Sequence, residues 1–233
     1  MPYNGLGVQS SFFPGEILPT PKPEVHIYLL SHLAYADVTD WLNIIKQLKK
    51  GRKSMFWSYK PLRQGAYEMA SKRPTDPNEI YSNVASLAQT AGGPNCRKAN
   101  LDALKTFEST FLPQFGPAGS NFMNAHEDGV DFGPVRLIGG PHFSIKDKSD
   151  QLKFVYLHPS RWTDEQVSAF CELLTVVAEK RFKSEAKHVW FLDLRSGKRV
   201  PWASSKKLVR KKCEKAAEFL VGLQAANLTE DED

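Results

Sequence analysis

The hydrophobic pattern of residues 135–202 changes its period twice, and this change limits the fold more than any other feature of the chain. Phe143 and Ile145 and the apolar run 154–157, which ends at His158, flank a polar turn, which is typical of a β-hairpin. Residues 163–166, Thr-Asp-Glu-Gln, form a capping-box sequence, and apolar residues follow it at helical spacing. A second strand pair with a Ser-Gly turn is predicted over residues 188–202. Strands, helix and strands in this order predict an α/β unit.

The order of these elements resembles the core of the RecB-like branch of the PD-(D/E)XK nucleases. In that family a hairpin carries an Asp and an acidic-x-Lys triplet, and the next helix carries Gln-x-x-x-Tyr. Residues 166–170, Gln-Val-Ser-Ala-Phe, are similar to this last motif. The family's carboxylates hold a divalent metal, which activates water together with the lysine. The resemblance implies a restriction-endonuclease-like core, a small mixed sheet flanked by helices. The helical patterns before it predict a helical N-terminal region.

The residues at the family's catalytic positions depart from its pattern. The resemblance places His142 at the Asp position, Tyr156 at the acidic position and His158 at the lysine position. Mg²⁺ prefers oxygen ligands, and this set offers two imidazoles and a phenol. The resemblance therefore supports the fold more than the activity. We expect His142 and His158 at equivalent heights on adjacent strands, and Gln166 is explained equally well by the capping box.

Acidic residues before the predicted hairpin offer an alternative metal site. Glu127, Asp128 or Asp131 would act with His142, and Glu108 on the preceding helix would point toward the same place. Converging carboxylate and imidazole groups are what such an ion needs. The competing interpretation is that these residues solvate a polar loop and cap its turns. No cofactor is expected, and Mg²⁺ or Mn²⁺ is required only if the protein is a nuclease.

The charge pattern favours an anionic partner. The formal net charge is +5 and the pI is about 9.0. Cations with interleaved aromatic rings suit nucleic acid, since they neutralise phosphates and stack on bases. Solvated helix faces beside core aromatics would give the same pattern. The predicted nucleic-acid-binding residues fall in two clusters: Lys49, Lys50, Arg52, Lys53, Trp57, Lys60 and Arg63, and then Lys207, Arg210 and Lys211.

The chain divides into four predicted regions. Helical patterns cover residues 61–71, 76–90 and 101–111, and the second stops at a Gly-Gly-Pro sequence. An amphipathic helix with a basic face is predicted near the C-terminus. The regions are an extended arm (1–24), a helical region (25–115), the α/β core with the basic helix (116–226) and an acidic tail (227–233).

The rest of the sequence indicates a cytoplasmic protein, of prokaryotic or mobile-element type. It has no signal-peptide pattern and no apolar run of membrane-spanning length. Cys96, Cys171 and Cys213 show no metal-ligand spacing, which favours reduced thiols.

We therefore predict a nucleic-acid-binding protein with a catalytically degenerate nuclease-like core, and we expect no enzymatic activity. One alternative is an active metal-dependent nuclease whose carboxylate ligands have moved to the loop. Another is a non-enzymatic subunit that holds an acidic protein partner with its basic faces and Trp57, Trp162 or Trp202.

Overall fold

A computed structural model describes residues 21–37, 39, 41, 59–116, 121–122, 129–159 and 162–228, with side chains to residue 223. These residues form an α/β fold with two mixed sheets, so the predicted fold class is confirmed. The strands are β1 (Glu24–His26), β2 (Asn121–Phe122), β3 (Val130–Phe132), β4 (Val135–Ile138), β5 (Phe143–Lys146), β6 (Leu152–His158), β7 (Val189–Asp193) and β8 (Lys198–Val200). The helices are α1 (Ile27–Leu33), α2 (Lys60–Lys72), α3 (Asn78–Thr106), α4 (Asp164–Phe182) and α5 (Lys207–Leu228), with short helical turns at Phe107–Phe111, Leu112–Gln114 and Ala186–His188.

The larger sheet contains the hairpins predicted from the sequence. Its strand order is β2-β5-β6-β7-β8. β5 and β6 are antiparallel, β6 and β7 are parallel, and β7 and β8 are antiparallel. α4 connects the parallel pair, and its start is the predicted capping box: the Gln166 N–H donates to Thr163 Oγ1 at 3.2 Å, and the Thr163 N–H donates to Gln166 Oε1 at 3.1 Å.

The smaller sheet has the order β1-β4-β3, and the sequence pattern did not predict it. β4 pairs in parallel with β1 and antiparallel with β3. The chain then leaves this sheet at Gly139, whose φ of 101° lies in the left-handed region that favours glycine. A Cβ at Gly139 would lie 3.0 Å from ring atoms of His26. This turn carries the chain from the smaller sheet to His142 and β5.

Both faces of the larger sheet are covered, and this explains the continuous apolar runs of β6 and β7. Tyr156 belongs to a core shared with α1, α4 and α5. Val155 and Leu157 point to the opposite face and pack in a second core with α2 and α3. Residues 25–33, grouped by the sequence with the helical region, therefore pack against the C-terminal elements.

α3 consists of two arms separated by a break at the glycines predicted to end a helix. Gly92 has φ −164° and ψ 18°, and Gly93 has φ 74° and ψ −163°. Buried Asn100 on the second arm joins α3 to α2: its Oδ1 accepts from the Leu62 N–H at 3.0 Å, and its Nδ2 donates to the Cys96 carbonyl at 2.8 Å. Gly65 makes room for the first arm, because a Cβ there would lie 2.5 Å from Val84 Cγ2.

Among the described helices, none combines the length and the apolar character needed to cross a bilayer.

Candidate functional site

Four of the six histidines of the chain converge where the two sheets meet. The site lies at the carboxyl end of parallel strands β6 and β7, the edge at which open α/β sheets commonly bind ligands. We call it the histidine site, and define it by His26, His32, His142, His158, Tyr28, Tyr156, Trp162, Gln166 and Arg63. All of the predicted catalytic candidates fall within it.

Ring contacts tie these residues together. The His142 and Tyr156 ring centroids are 4.2 Å apart. The Trp162 ring centroid lies 4.0 Å from that of His158 and 5.2 Å from that of His32. Strand β6 joins these two groups of rings, because it carries both Tyr156, which contacts His142, and His158, which contacts Trp162.

His142 differs in position from the expectation. Phe143 pairs with Val155, so the same register sets His142 opposite Tyr156, and the predicted equal height with His158 is wrong. The His142 N–H donates to the Val155 carbonyl at 2.7 Å, and its Nδ1 accepts from the Leu157 N–H at 3.2 Å. Burial, followed by the positive charges of Arg63 and neighbouring histidines, lowers the pKa of His142 well below its ordinary value. The ring is neutral at pH 7, and because Nδ1 is an acceptor, its proton is on Nε2.

Gln166 forms the predicted capping box, and its side chain also contacts His32. Its Oε1 accepts in the capping box, and its Nε2 lies 2.9 Å from His32 Nδ1. An amide nitrogen donates, so His32 Nδ1 accepts and the neutral ring also carries its proton on Nε2. Burial lowers the pKa of His32. His32 Nε2 is buried and makes no hydrogen bond within the described part of the chain.

The two tyrosines of the site are neutral donors as well. Tyr156 packs against the Phe170 and Phe191 rings at 4.4 and 5.7 Å. Burial raises the pKa of Tyr156 and of Tyr28, so both phenols keep their protons.

Arg63 supplies the formal positive charge of the site. It is half-buried on α2 and interacts electrostatically with Tyr156 and His142. Burial lowers its pKa. Among the described residues no carboxylate pairs with it, and no side chain or backbone group is hydrogen-bonded to it. A partly buried charge without a partner is costly. The sequence grouped Arg63 with the basic cluster and gave no signal that it meets His142.

The predicted metal ligands do not come together. Asp131 Oδ2 is 3.0 Å from Lys22 Nζ, and Glu108 Oε2 accepts from the Tyr81 O–H at 2.6 Å. Neither carboxylate joins His142, so that predicted grouping is wrong for these two residues. Glu127 and Asp128 lie outside the described residues. Within the described ranges, no three His, Cys, Asp or Glu side chains are placed to hold a metal ion.

The predicted basic residues fall into different environments. Lys60, Lys207 and Lys211 are exposed. Arg210 is instead a structural residue, because its Nε donates to buried Glu172 at 2.6 Å and its Nη2 donates to Glu179 at 3.1 Å. The other predicted residues of the first cluster, namely Lys49, Lys50, Arg52, Lys53 and Trp57, lie outside the described residues.

Comparison of the sequence with family models and with curated proteins gives no match.

Proposed function

We propose that this protein binds nucleic acid and does not cleave it, with a phosphate group of the ligand held at the histidine site. The observation that carries the proposal is Arg63, a half-buried cation that pairs with no carboxylate among the described residues and interacts electrostatically with His142 and Tyr156. His142 Nε2, the Tyr156 hydroxyl and the guanidinium are all hydrogen-bond donors. Donors around one positive charge suit a phosphate oxygen.

The same arrangement is poorly suited to hydrolysis. Metal-assisted cleavage needs carboxylates to hold the ion and a group to activate water. Here the equivalent positions carry His142, Tyr156 and His158, and His142 Nδ1 is already occupied by the Leu157 N–H. The hairpin, capped helix and parallel strand support the resemblance to the RecB-like nucleases at the level of element order.

Exposed Lys60, Lys207 and Lys211 would add contacts that do not depend on sequence. Such cations bind phosphates through release of counter-ions, which makes binding steeply salt-dependent.

The test measures anisotropy of labelled single- and double-stranded DNA and RNA over a salt series, with Mg²⁺, Mn²⁺ or chelator. The same samples are run on a denaturing gel. We expect binding without a metal requirement and no shortened strands. Arg63→Met keeps the aliphatic stem and removes the charge, and should reduce the salt slope by about 1.

Lys148→Gln is the matched control, because it removes an exposed cation from the turn after β5. It should leave the slope nearly unchanged. Metal-dependent cleavage would favour the nuclease alternative, and no binding at low salt would favour the acidic-partner alternative.

A further inference from the structure

A cleft of about 890 Å³ opens between the two arms of α3. The residues that line it differ from those that pack on α2, such as Val84 and Leu104. The cleft is thus the side of this helical pair that the described residues leave uncovered. We call it the α3 cleft.

One wall of the cleft is neutral and polar. Ser82, Ser86, Gln89 and Thr90 of the first arm line it and are exposed. Their spacing of three or four residues places them on one helical face. Hydroxyl and amide groups therefore follow the length of this wall.

The other wall is cationic. Arg97 and Lys105 of the second arm line it and are exposed, and eight residues of helix separate them by about 12 Å. In the described part of the chain neither side chain forms an ion pair or a hydrogen bond. The carboxylate that lines the cleft, Glu108, accepts a hydrogen bond from Tyr81 at its base. The lining therefore carries two cations and one carboxylate, and its net charge is positive.

This combination matches the side chains that contact nucleic-acid backbones. Arg and Lys bind phosphates, and Ser, Thr, Asn and Gln donate to phosphate and sugar oxygens. The volume of the cleft is within the range of about 300–1,000 Å³ that is usual for ligand pockets, so the cleft can hold a short stretch of a nucleic-acid strand. Both cations of the cleft stand on one wall, so they meet the phosphates of one backbone, whereas a duplex would bring its second backbone against the uncharged first arm.

We infer that the α3 cleft binds a single nucleic-acid strand by its phosphate backbone, with Arg97 and Lys105 on the phosphates and the first arm on the sugars. This contact is separate from the histidine site, and it rests on the proposed function only in that the ligand is nucleic acid.

The first test removes the two cations. Full-length Arg97→Gln/Lys105→Gln is compared with Lys98→Gln/Lys148→Gln, which loses two exposed lysines outside the cleft. Both variants change the net charge equally. With labelled oligothymidylate at low salt, the cleft variant should bind about tenfold more weakly or worse, and its log–log salt slope should fall by about 1.4. Equal behaviour of the two variants would overturn the inference.

The second test blocks the cleft without changing charge. Ser86→Trp should weaken single-strand binding, whereas Ser109→Trp, on an exposed helical turn outside the cleft, should not. Equal effects of the two would also overturn the inference.

The Arg63→Met variant separates the two proposals. If Arg63→Met weakens binding and the cleft variants match their controls, the proposed function stands and the α3 cleft does not bind the strand. If the cleft variants weaken binding and Arg63→Met does not, the cleft inference stands and the phosphate contact at the histidine site is lost. Absence of binding by the unaltered protein would overturn both.

Discussion

The histidine site and the α3 cleft both present hydrogen-bond donors and positive charge, but they differ in their contact with solvent. His142 and Tyr156 are 6% and 3% exposed. Arg97 and Lys105 of the cleft are exposed. Burial lowers the pKa of His142 and His32 and raises the pKa of Tyr156 and Tyr28, which keeps these four side chains neutral, whereas the cleft cations carry full charges that solvent screens.

This difference in solvent exposure suits the two sites to different roles in ligand binding. A site of buried neutral donors has fixed geometry and can orient one group, such as a single phosphate. An open cleft with mobile, screened cations attracts a polyanion without fixing its register. Variants in the histidine site should therefore change stability and binding together, and variants of the exposed cleft cations Arg97 and Lys105 should change binding with little effect on stability.

The largest contrast is expected for two tyrosines. Tyr156→Ala should lower the free energy of unfolding by about 3–5 kcal/mol, because it empties a core position between Phe170 and Phe191. Tyr81→Ala in the half-exposed cleft should cost about 1–2 kcal/mol. Urea unfolding of both variants measures the difference, and equal losses would show that the cleft is as much a part of the core as the histidine site.

Acid should affect the histidine site selectively. The pKa of His142 and of His32 is lowered by burial, so the unfolded chain binds more protons below its own histidine pKa of about 6.5. The stability of the neutral folded form is complete above that pH and is lost as pH falls toward the lowered folded pKa. Each imidazole contributes up to about 1.4 kcal/mol per pH unit in that window.

His142→Asn is the variant that isolates this effect, because its amide oxygen can still accept from the Leu157 N–H. Its stability should fall less steeply between about pH 6.5 and 5 than that of the unaltered chain. The Arg97→Gln/Lys105→Gln variant should keep the original slope. An unchanged slope in His142→Asn would mean that another group controls acid unfolding.

Sequence patterns predicted the features of both regions that depend on residues close together in the chain. The capping box at Thr163 and Gln166 and the break at Gly92 and Gly93 depend on neighbouring residues, and both are present. The β5–β6 hairpin was predicted for the same reason, since its polar turn separates two apolar runs.

The environments of the candidate functional residues depend on contacts between segments that are distant in the sequence, and hydrophobic periodicity does not encode such contacts. Arg63 interacts electrostatically with His142 from α2, which packs on the sheet face that carries Val155 and Leu157, and the pairing of β1 with β4 brings His26 beside Gly139. Which side of α3 stays exposed also depends on a contact between distant segments. Two amphipathic arms were predicted, but the position of α2 decides which of their faces stays exposed.

Arg63→Met should change the free energy of unfolding by less than Tyr156→Ala does, and in the opposite direction. Removing a half-buried cation that has no ion-pair partner in the described part of the chain should raise the free energy of unfolding by about 0.5–1 kcal/mol, a value reduced by solvent screening. The same variant should gain less stability from added oligonucleotide than the unaltered chain does. Chemical denaturation with and without a saturating oligonucleotide measures both. Destabilisation of the free variant would mean that Arg63 is held by the fold and not by a ligand.

The smallest effect is expected for Tyr81→Phe, which removes one hydrogen bond at the base of the α3 cleft. Loss of the 2.6 Å bond to Glu108 should cost about 1 kcal/mol of stability or less. The freed carboxylate then faces the same cleft as Lys105, where it can compete with a bound phosphate. Single-strand affinity should fall about two- to threefold, and Tyr81→Phe/Glu108→Gln should restore it because the competing charge is gone. If the double variant binds as weakly as Tyr81→Phe, the tyrosine hydroxyl contacts the strand directly, and its bond to Glu108 belongs to the free protein only.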